Sequence, residues 1–350
     1  MAGEPLNERE HHVLEAVIRT YVETAEPAGS RTLTRRFRLG VSAATVRNTM
    51  SDLEEKGYLY HPHTSAGRIP TDRAYRFFVN SLAGPPRLSD AEAEAIRTEL
   101  GAVGERAAVE RLVNHAARVL GLLTQELGIA IAPRLDTAVL ERLELLPLSE
   151  AKVLLVLALR AGGVRTIYVD VPATLSAAAL AEVGRVLNER LAGLTLREIR
   201  TTLPARLRDS LTVDDAAASD LLNIFLQSAD EWFDSPAGPD ADLHLGRASV
   251  LAGQPEFSSG ERLKGLIELV ERRDLLKSVL GERLGTCGLQ VTIGEEHGTP
   301  ALSDFTVVTS EYRVGDLRGV IGVIGPTRMP YDRVIAFVEN TSALVSEFLA

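Results

Sequence analysis

The chain has 350 residues, of which 45 % are hydrophobic and 25 % are charged, a balance that is typical of soluble globular proteins and excludes a disordered tail or a collagen-like repeat. It contains no run of about 18 apolar residues, which excludes a membrane span, and its polar, acidic beginning excludes a secretory signal peptide. The single cysteine excludes an internal disulfide and a multi-thiolate zinc site. We therefore expect a cytoplasmic protein of roughly two or three domains.

The net charge of −10 is unevenly distributed along the chain. Residues 1–82 carry a net charge of +1, and residues 28–76 within them carry +5, whereas the remaining residues carry −11. A locally basic module on an acidic body is compatible with binding to DNA through one end only.

Residues 1–82 predict a compact unit with three capped helices. Apolar residues recur at helical spacing after each cap, and glycine or proline residues end the helices. The predicted caps are Asn7 with its capping-box partner Glu10, then Ser30, and then Ser42.

A β-hairpin is predicted directly after the third helix. Residues 58–61 and 68–70 read as its two strands, and the loop between them is polar and contains proline and glycine. Two helices joined by a tight turn form a helix-turn-helix pattern, and a hairpin placed after the recognition helix is the wing of a winged helix.

The third helix has one apolar face and one polar face. Val46, Met50 and Leu53 are expected to pack on the first two helices. Arginine, asparagine and threonine on the opposite face are side chains that pair with base edges, and the start of the second helix suits a phosphate. The predicted DNA contacts are Ser42, Ala44, Thr45, Arg47 and Asn48 on the third helix, Ser30, Arg31 and Thr32 on the second, and His63, Thr64, Ser65 and Arg68 in the hairpin.

The rest of the chain predicts an α+β domain that another domain interrupts. Residues 83–104 form a linker and a connecting helix. Residues 105–200 and 281–350 carry strands and helices of one domain, and residues 201–280 form a mainly helical insert.

Three segments of the N-terminal unit closely resemble the bacterial heat-inducible transcription repressor family HrcA. They are residues 26–33, 42–48 and 62–72, and the last is long and unusual. Residues 246–249, 254–257 and 319–326 also resemble the carboxy-terminal half of that family. Thr49 departs from the family, in which an acidic residue is expected.

The resemblance implies a winged helix, a GAF-like domain and an inserted dimerisation domain. It also implies a homodimer that binds an inverted-repeat operator (CIRCE) upstream of chaperone operons, where it is nucleoid-associated, and that the GroEL chaperonin keeps in its active form. Two-fold symmetry doubles the base contacts and matches an inverted repeat. The expected interface in the insert comprises Leu221, Leu222, Phe225, Trp232 and Phe233, which alternatively form only the insert's own core.

Other readings of the sequence remain open. One alternative is a winged-helix regulator whose GAF-like domain senses a small molecule. Another is a purely structural dimerisation protein. A third alternative is an enzyme that binds a nucleotide through the glycines at 319, 322 and 325. These glycines lie in a strand-like stretch, however, which favours close backbone packing. We expect no enzyme, no cofactor and no metal, and His61 and His63 as parts of a solvated wing.

Overall fold

The computed structural model describes residues 6–63, 67–82, 87–102, 109–133, 137–149, 151–160, 164–171, 176–207, 216–233, 243–286, 288–315 and 317–349, with the side chains of 216–218 and 228–233 outside the description. In these ranges the chain forms three parts. We call them the head (residues 6–82), the insert (137–233) and the body (87–133 and 243–349). Helices and three separate sheets confirm the predicted multidomain α+β class.

The head contains four helices and a two-stranded hairpin. They are α1 (Glu8–Thr24), α2 (Ser30–Arg36), α3 (Ala43–Glu55), β1 (Leu59–Tyr60), β2 (Ile69–Pro70) and α4 (Asp72–Ser81). Asn7 and Glu10 form the expected capping box of α1, and Ser42 caps α3. The cap expected at Ser30 is wrong. The α2 cap is Gly29, whose carbonyl accepts hydrogen bonds from the next turn, and Ser30 is already helical.

The chain then enters the body, leaves it for the insert and returns. The first body elements are α5 (Asp90–Gly101), α6 (Val109–Thr124) and β3 (Leu127–Ile131). The insert follows with β4 (Leu140–Ser149), β5 (Lys152–Leu159), β6 (Val164–Asp170), α7 (Ala177–Leu191), α8 (Leu196–Leu207) and α9 (Ala216–Phe233). The body resumes with β7 (Leu243–Leu245), α10 (Ser249–Ala252), α11 (Gly260–Glu271), α12 (Arg273–Gly281), β8 (Leu289–Ile293), β9 (Phe305–Val314), β10 (Leu317–Pro326) and α13 (Tyr331–Phe348).

The body is built on a five-stranded antiparallel sheet in the order β7-β3-β10-β9-β8. Side chains alternate across its strands, so the sheet divides two apolar cores. Ile321 and Val323 of β10 belong to the core that also contains residues of α6 and α13, whereas Val320 and Ile324 belong to the core with residues of α11 and α12. The sheet is therefore covered by helices on both faces.

The insert has its own antiparallel sheet in the order β4-β5-β6. The sequence pattern predicts that residues 105–200 belong to the body and that the insert begins at residue 201. Hydrogen bonding differs from that division, because β4–β6 pair only with one another among the described strands and pack with α7. Alternating apolar residues predict a strand but not its partner, and we propose an insert that begins near residue 137.

Close backbone packing explains the glycines of β10. A Cβ atom at position 322 would lie 2.0 Å from the carbonyl oxygen of Val308. Cβ atoms at 319 and 325 would overlap the Tyr312 ring and the Glu126 carboxylate. Each glycine therefore admits a neighbouring group that any other residue would displace.

Replacing Gly322 by alanine is expected to destabilise the protein. Overpacking of this kind costs about 1–3 kcal/mol, and the measurement is urea unfolding followed by circular dichroism. Gly184 in α7 is the matched control, because no heavy atom lies within 4 Å of a Cβ atom added there. Gly184→Ala should raise the free energy of unfolding by up to about 1 kcal/mol. Equal stability of Gly322→Ala and the wild type would contradict the packing argument.

Candidate nucleic-acid interface

The N-terminal half of α3 presents a polar surface that its own cap stabilises. The Ser42 hydroxyl accepts a hydrogen bond from the Thr45 amide at 3.2 Å and lies 3.0 Å from the Thr45 hydroxyl. Ala44, Arg47 and Asn48 are exposed and Thr45 is half-buried. The opposite face is buried, as predicted, through Val46, Met50 and Leu53. The structure thus brings five of the predicted contacts together on the N-cap and the first two turns of α3.

Thr49 lies on the buried side of α3 rather than beside the polar surface. Its side chain is 3 % exposed, and its hydroxyl donates to the Thr45 carbonyl at 3.2 Å. An acidic residue there would need a partner for a buried charge. The departure from the family pattern therefore concerns packing, not the accessible surface.

The start of α2 supplies the second group of predicted contacts. Arg31 and Thr32 are exposed, and Ser30 is half-buried. Arg35 and Arg38 extend the same exposed basic segment. Within the described part of the chain, no ion pair joins Arg31, Arg35, Arg38 or Arg47 to a carboxylate. This surface therefore carries uncompensated positive charge next to the polar face of α3.

The hairpin is attached to both α2 and α3. The backbone of Arg68 exchanges two hydrogen bonds of 2.9 Å with Ala28, just before α2. A Cβ atom at Gly67 would lie 2.4 Å from the Ala28 carbonyl oxygen, so this approach requires glycine. His63 is exposed, whereas Thr64 and Ser65 lie outside the described residues.

Glu54 of α3 was not among the predicted site residues, yet it holds both arms of the hairpin. Its Oε2 atom lies 2.7 Å from Arg68 Nη2, and its Oε1 atom contacts His61 Nδ1. Arg68, predicted as a DNA contact, is therefore ion-paired within the head and its side chain is only 22 % exposed. Glu54 precedes Arg68 by fourteen residues in the sequence, a spacing that carries no signal of the contact.

The head is fixed to the body by polar contacts from α1 and α4. Arg76 of α4 donates to Glu296 at 2.7 Å and to the Val291 carbonyl at 2.6 Å. The Asp72 carboxylate accepts from the Glu295 amide at 3.1 Å, and burial raises the pKa of Asp72. These contacts set the orientation of the polar α3 surface relative to the body.

Residues 254–257, which resemble the family in the sequence, also lie where the body contacts the head. Gln254 donates to the Gln125 carbonyl at 2.7 Å and to the buried Glu126 carboxyl at 3.3 Å. Burial raises the pKa of Glu126 well above its ordinary value. Glu256 pairs with Arg328, which also donates to a main-chain carbonyl of α1 at Val22. The motif thereby connects the interior of the body to the head.

A cleft of about 970 Å³ opens between the hairpin side of the head and the body. Tyr60 and Tyr75 line it from the head, and Glu256, Asp304 and Arg328 line it from the body.

In the described residues, no group of three or more His, Cys, Asp and Glu side chains is arranged to hold a metal ion. None of the described helices combines the length and apolar character that a membrane crossing requires.

The insert places the residues of the expected dimer interface in its interior. Leu221, Leu222 and Phe225 of α9 are at most 1 % exposed in a single chain. They would have to leave this core to reach a partner, so their role in an interface stays a prediction. The side chains of Trp232 and Phe233 lie outside the described residues.

Comparison with known proteins gives consistent matches over the whole chain. The family model for the HrcA protein C-terminal domain matches residues 110–335. The heat-inducible transcription repressor HrcA of Chlorobium phaeobacteroides (strain BS1) is 36 % identical over 99 % of both chains, and that of Geobacter sulfurreducens is 34 % identical over 98 % of both. A crystal structure described only as that of a hypothetical protein is 25 % identical, covers 99 % of both chains and has a TM-score of 0.70.

Three linked α+β parts with an exposed polar helix at one end fit a multidomain transcription regulator. Identity above 30 % across nearly the full length of both chains narrows that class to one family. The chain belongs to the HrcA family of heat-inducible transcription repressors.

Acidification is expected to destabilise the head through Glu10. Hydrogen bonds from Lys56 Nζ at 2.9 and 3.0 Å lower the pKa of Glu10 below its ordinary 4.5, although burial acts in the opposite direction. A pKa that is depressed by folding contributes stability above the unfolded value, and this contribution is lost as the pH falls through the folded value.

The unfolding free energies of Glu10→Gln and wild type should therefore differ near neutral pH and converge as the pH falls below 4.5. Denaturant unfolding at several pH values measures this. Glu8→Gln, at an exposed position two residues earlier, is the control. A difference for Glu10→Gln that stayed constant across this pH range would contradict the assignment.

Proposed function

We propose that this protein is a homodimeric winged-helix repressor that binds an inverted-repeat operator (CIRCE) of heat-shock operons. The head is the winged helix, α3 is its recognition helix and the β1–β2 hairpin is its wing. The body is GAF-like and the insert is the dimerisation domain. The protein acts in the cytoplasm, where it is nucleoid-associated when bound to its operator.

The exposed face of α3 carries the proposal. Arg47 and Asn48 stand on consecutive positions of this face and are both exposed. Arginine pairs in a bidentate manner with guanine, and asparagine pairs with adenine. Ala44 and Thr45 offer a small surface beside them that admits the helix into the major groove.

Backbone contacts are assigned to the neighbouring basic segment. Arg31 and Thr32 would contact phosphates beside the groove, with Ser30 behind them, and His63, Thr64 and Ser65 would reach the flanking backbone from the wing. Phosphate contacts position a protein on the duplex without reading its sequence. The uncompensated charge of Arg31, Arg35 and Arg38 favours this assignment.

The outer face of the insert sheet is the proposed contact between two copies. Leu146, Val164 and Tyr168 are 45 %, 67 % and 69 % exposed, a large apolar surface for a single chain. Oppositely charged pairs border it, with Arg142–Glu144 at 3.0 Å near one end and Lys152–Asp170 at 3.6 Å near the other. A face that carries both charges complements itself under two-fold symmetry.

The GroEL chaperonin is the proposed regulator, and this part rests on the family alone. GroEL would keep the repressor in its active form, and heat-damaged proteins that occupy the chaperonin would release the operons. Operator binding measured by fluorescence anisotropy should strengthen when GroEL is added. Specific operator binding that does not change when GroEL is added would contradict regulation by GroEL. The proposed repressor function would be unaffected.

A small-molecule sensor is the second candidate. The cleft of about 970 Å³ between head and body favours it, because an occupant would alter the contacts that orient α3. The hydroxyl of Tyr75, which lines this cleft, is buried without a hydrogen-bond partner in the described chain. A ligand that changes operator affinity without GroEL would support this candidate.

Alanine at Arg47 or at Asn48 is expected to reduce binding to the operator and to leave binding to scrambled DNA nearly unchanged. Each lost base contact should cost about 1–3 kcal/mol. Fluorescence anisotropy with both duplexes measures the difference. Arg185→Ala, which removes the same charge from the exposed surface of α7, is the control. Unchanged operator affinity in both α3 variants would contradict the assignment of the reading face.

Replacing Tyr168 by arginine is expected to convert the proposed dimer to a monomer, because the new charge would be buried against the sheet face of the partner copy. Sedimentation or light scattering at micromolar concentration measures the mass. Ile267→Arg is the matched control, since Ile267 is 51 % exposed on α11 and away from this sheet. A Tyr168→Arg protein that remains dimeric would place the interface elsewhere.

A further inference from the structure

The wing and the recognition helix meet at a single carboxylate. Glu54 lies at the C-terminal end of α3, whereas the proposed base contacts lie at its N-terminal end. Its two carboxylate oxygens contact His61, which follows β1, and Arg68, which precedes β2. All three side chains are only partly exposed, at 23 % for Glu54, 40 % for His61 and 22 % for Arg68.

We propose that Glu54 is a positioning residue that determines operator specificity by withholding Arg68 from DNA phosphates. This inference rests on the proposed DNA-binding function and replaces the phosphate contact that the sequence predicts for Arg68. The ion pair at 2.7 Å compensates the Arg68 charge inside the head. Arg47 and Arg31, by contrast, have no such pair in the described chain.

The backbone around Arg68 keeps its side chain at this carboxylate. Two hydrogen bonds to Ala28 fix the residue between α2 and β2, and Gly67 seats against the Ala28 carbonyl. The Arg68 Nε atom is buried and forms no hydrogen bond in the described chain. Reaching a phosphate would require the guanidinium to abandon Glu54 and turn outward.

Specificity follows because phosphates are the same on every sequence. A protein that neutralises one more phosphate gains affinity for all DNA, and its binding falls more steeply with salt, by a slope of about 0.9 per phosphate. Compensating Arg68 in both subunits lowers nonspecific affinity. The same contact holds the wing at Glu54, about two helical turns from the proposed base contacts Arg47 and Asn48.

If Glu54 only anchored the wing mechanically, without withholding Arg68 from phosphates, a different result would be expected. Loss of such an anchor would weaken binding to the operator and leave the number of phosphate contacts unchanged or reduced. The salt dependence of binding to scrambled DNA therefore separates the two roles.

The test compares Glu54→Gln, Arg68→Gln and the double variant with the wild type. Anisotropy is measured on scrambled and inverted-repeat duplexes at salt concentrations from about 50 to 300 mM. Glu54→Gln should steepen the slope on scrambled DNA by about 0.9 per subunit and lower the ratio of operator to scrambled affinity. Arg68→Gln should leave the slope of the wild type, and the double variant should return to it.

Glu55→Gln is the matched control, because it removes the same charge at the next, exposed position. A Glu54→Gln slope equal to that of Glu55→Gln would overturn the proposal, as would an Arg68→Gln variant with a flattened slope. If Glu54→Gln fails to fold, as judged by circular dichroism, Glu54→Asp replaces it. The shorter side chain cannot keep the 2.7 Å contact with Arg68, so the slope on scrambled DNA should still steepen, and a slope equal to that of the wild type would overturn the proposal. A wild-type protein that binds the inverted repeat no more tightly than scrambled DNA would contradict the proposed function. The salt dependence of binding to scrambled DNA would still report the role of Glu54.

Discussion

The close approach of α6 to β3 is the constraint on which the rest of the body depends. A Cβ atom at Gly128 would lie 1.7 Å from the Ala117 carbonyl oxygen, and one at Gly121 would lie 2.8 Å from the Gly128 amide. The Gly246 amide donates to the Gly128 carbonyl at 2.7 Å. The chain leaves the body after β3 and returns beside it at β7, which forms an edge strand of the sheet. The two ends of the insert are therefore close together, which allows the insert to form a separate unit.

The same region of the body is connected to the head by a series of hydrogen bonds and ion pairs. Gln125 and Glu126 follow α6 directly, and Gln254 donates to both of them. Glu256, two residues further on, holds Arg328, which reaches the end of α1. A buried carboxyl with a raised pKa, hydrogen-bonded to the Gln254 amide, thus lies between the sheet and the contacts that orient α3.

Local features of the fold could be predicted from the sequence, and non-local ones could not. Capping at Asn7 and Ser42 and the position of the hairpin depend on residues within a few positions of one another, and these predictions are confirmed. Strand alternation in residues 138–171 predicts strands but does not reveal that they form their own sheet. Likewise, the apolar residues of α9 have the same pattern whether they face the insert core or a partner copy.

The accessible face of α3 could be predicted because helical periodicity separates it from Val46, Met50 and Leu53. The contacts of Glu54 could not, since they depend on the return of the β1–β2 hairpin to α3.

The most direct test of the proposed function is binding of the protein to an inverted repeat in which the half-site spacing is varied. Two recognition helices related by a two-fold axis require half-sites on one side of the duplex, about one helical turn of 10–10.5 bp or a multiple apart. The account predicts tight binding that is lost when about 5 bp are inserted at the centre and restored when about 10 bp are inserted. Equal affinity for all three spacings, or for a scrambled duplex, would contradict it.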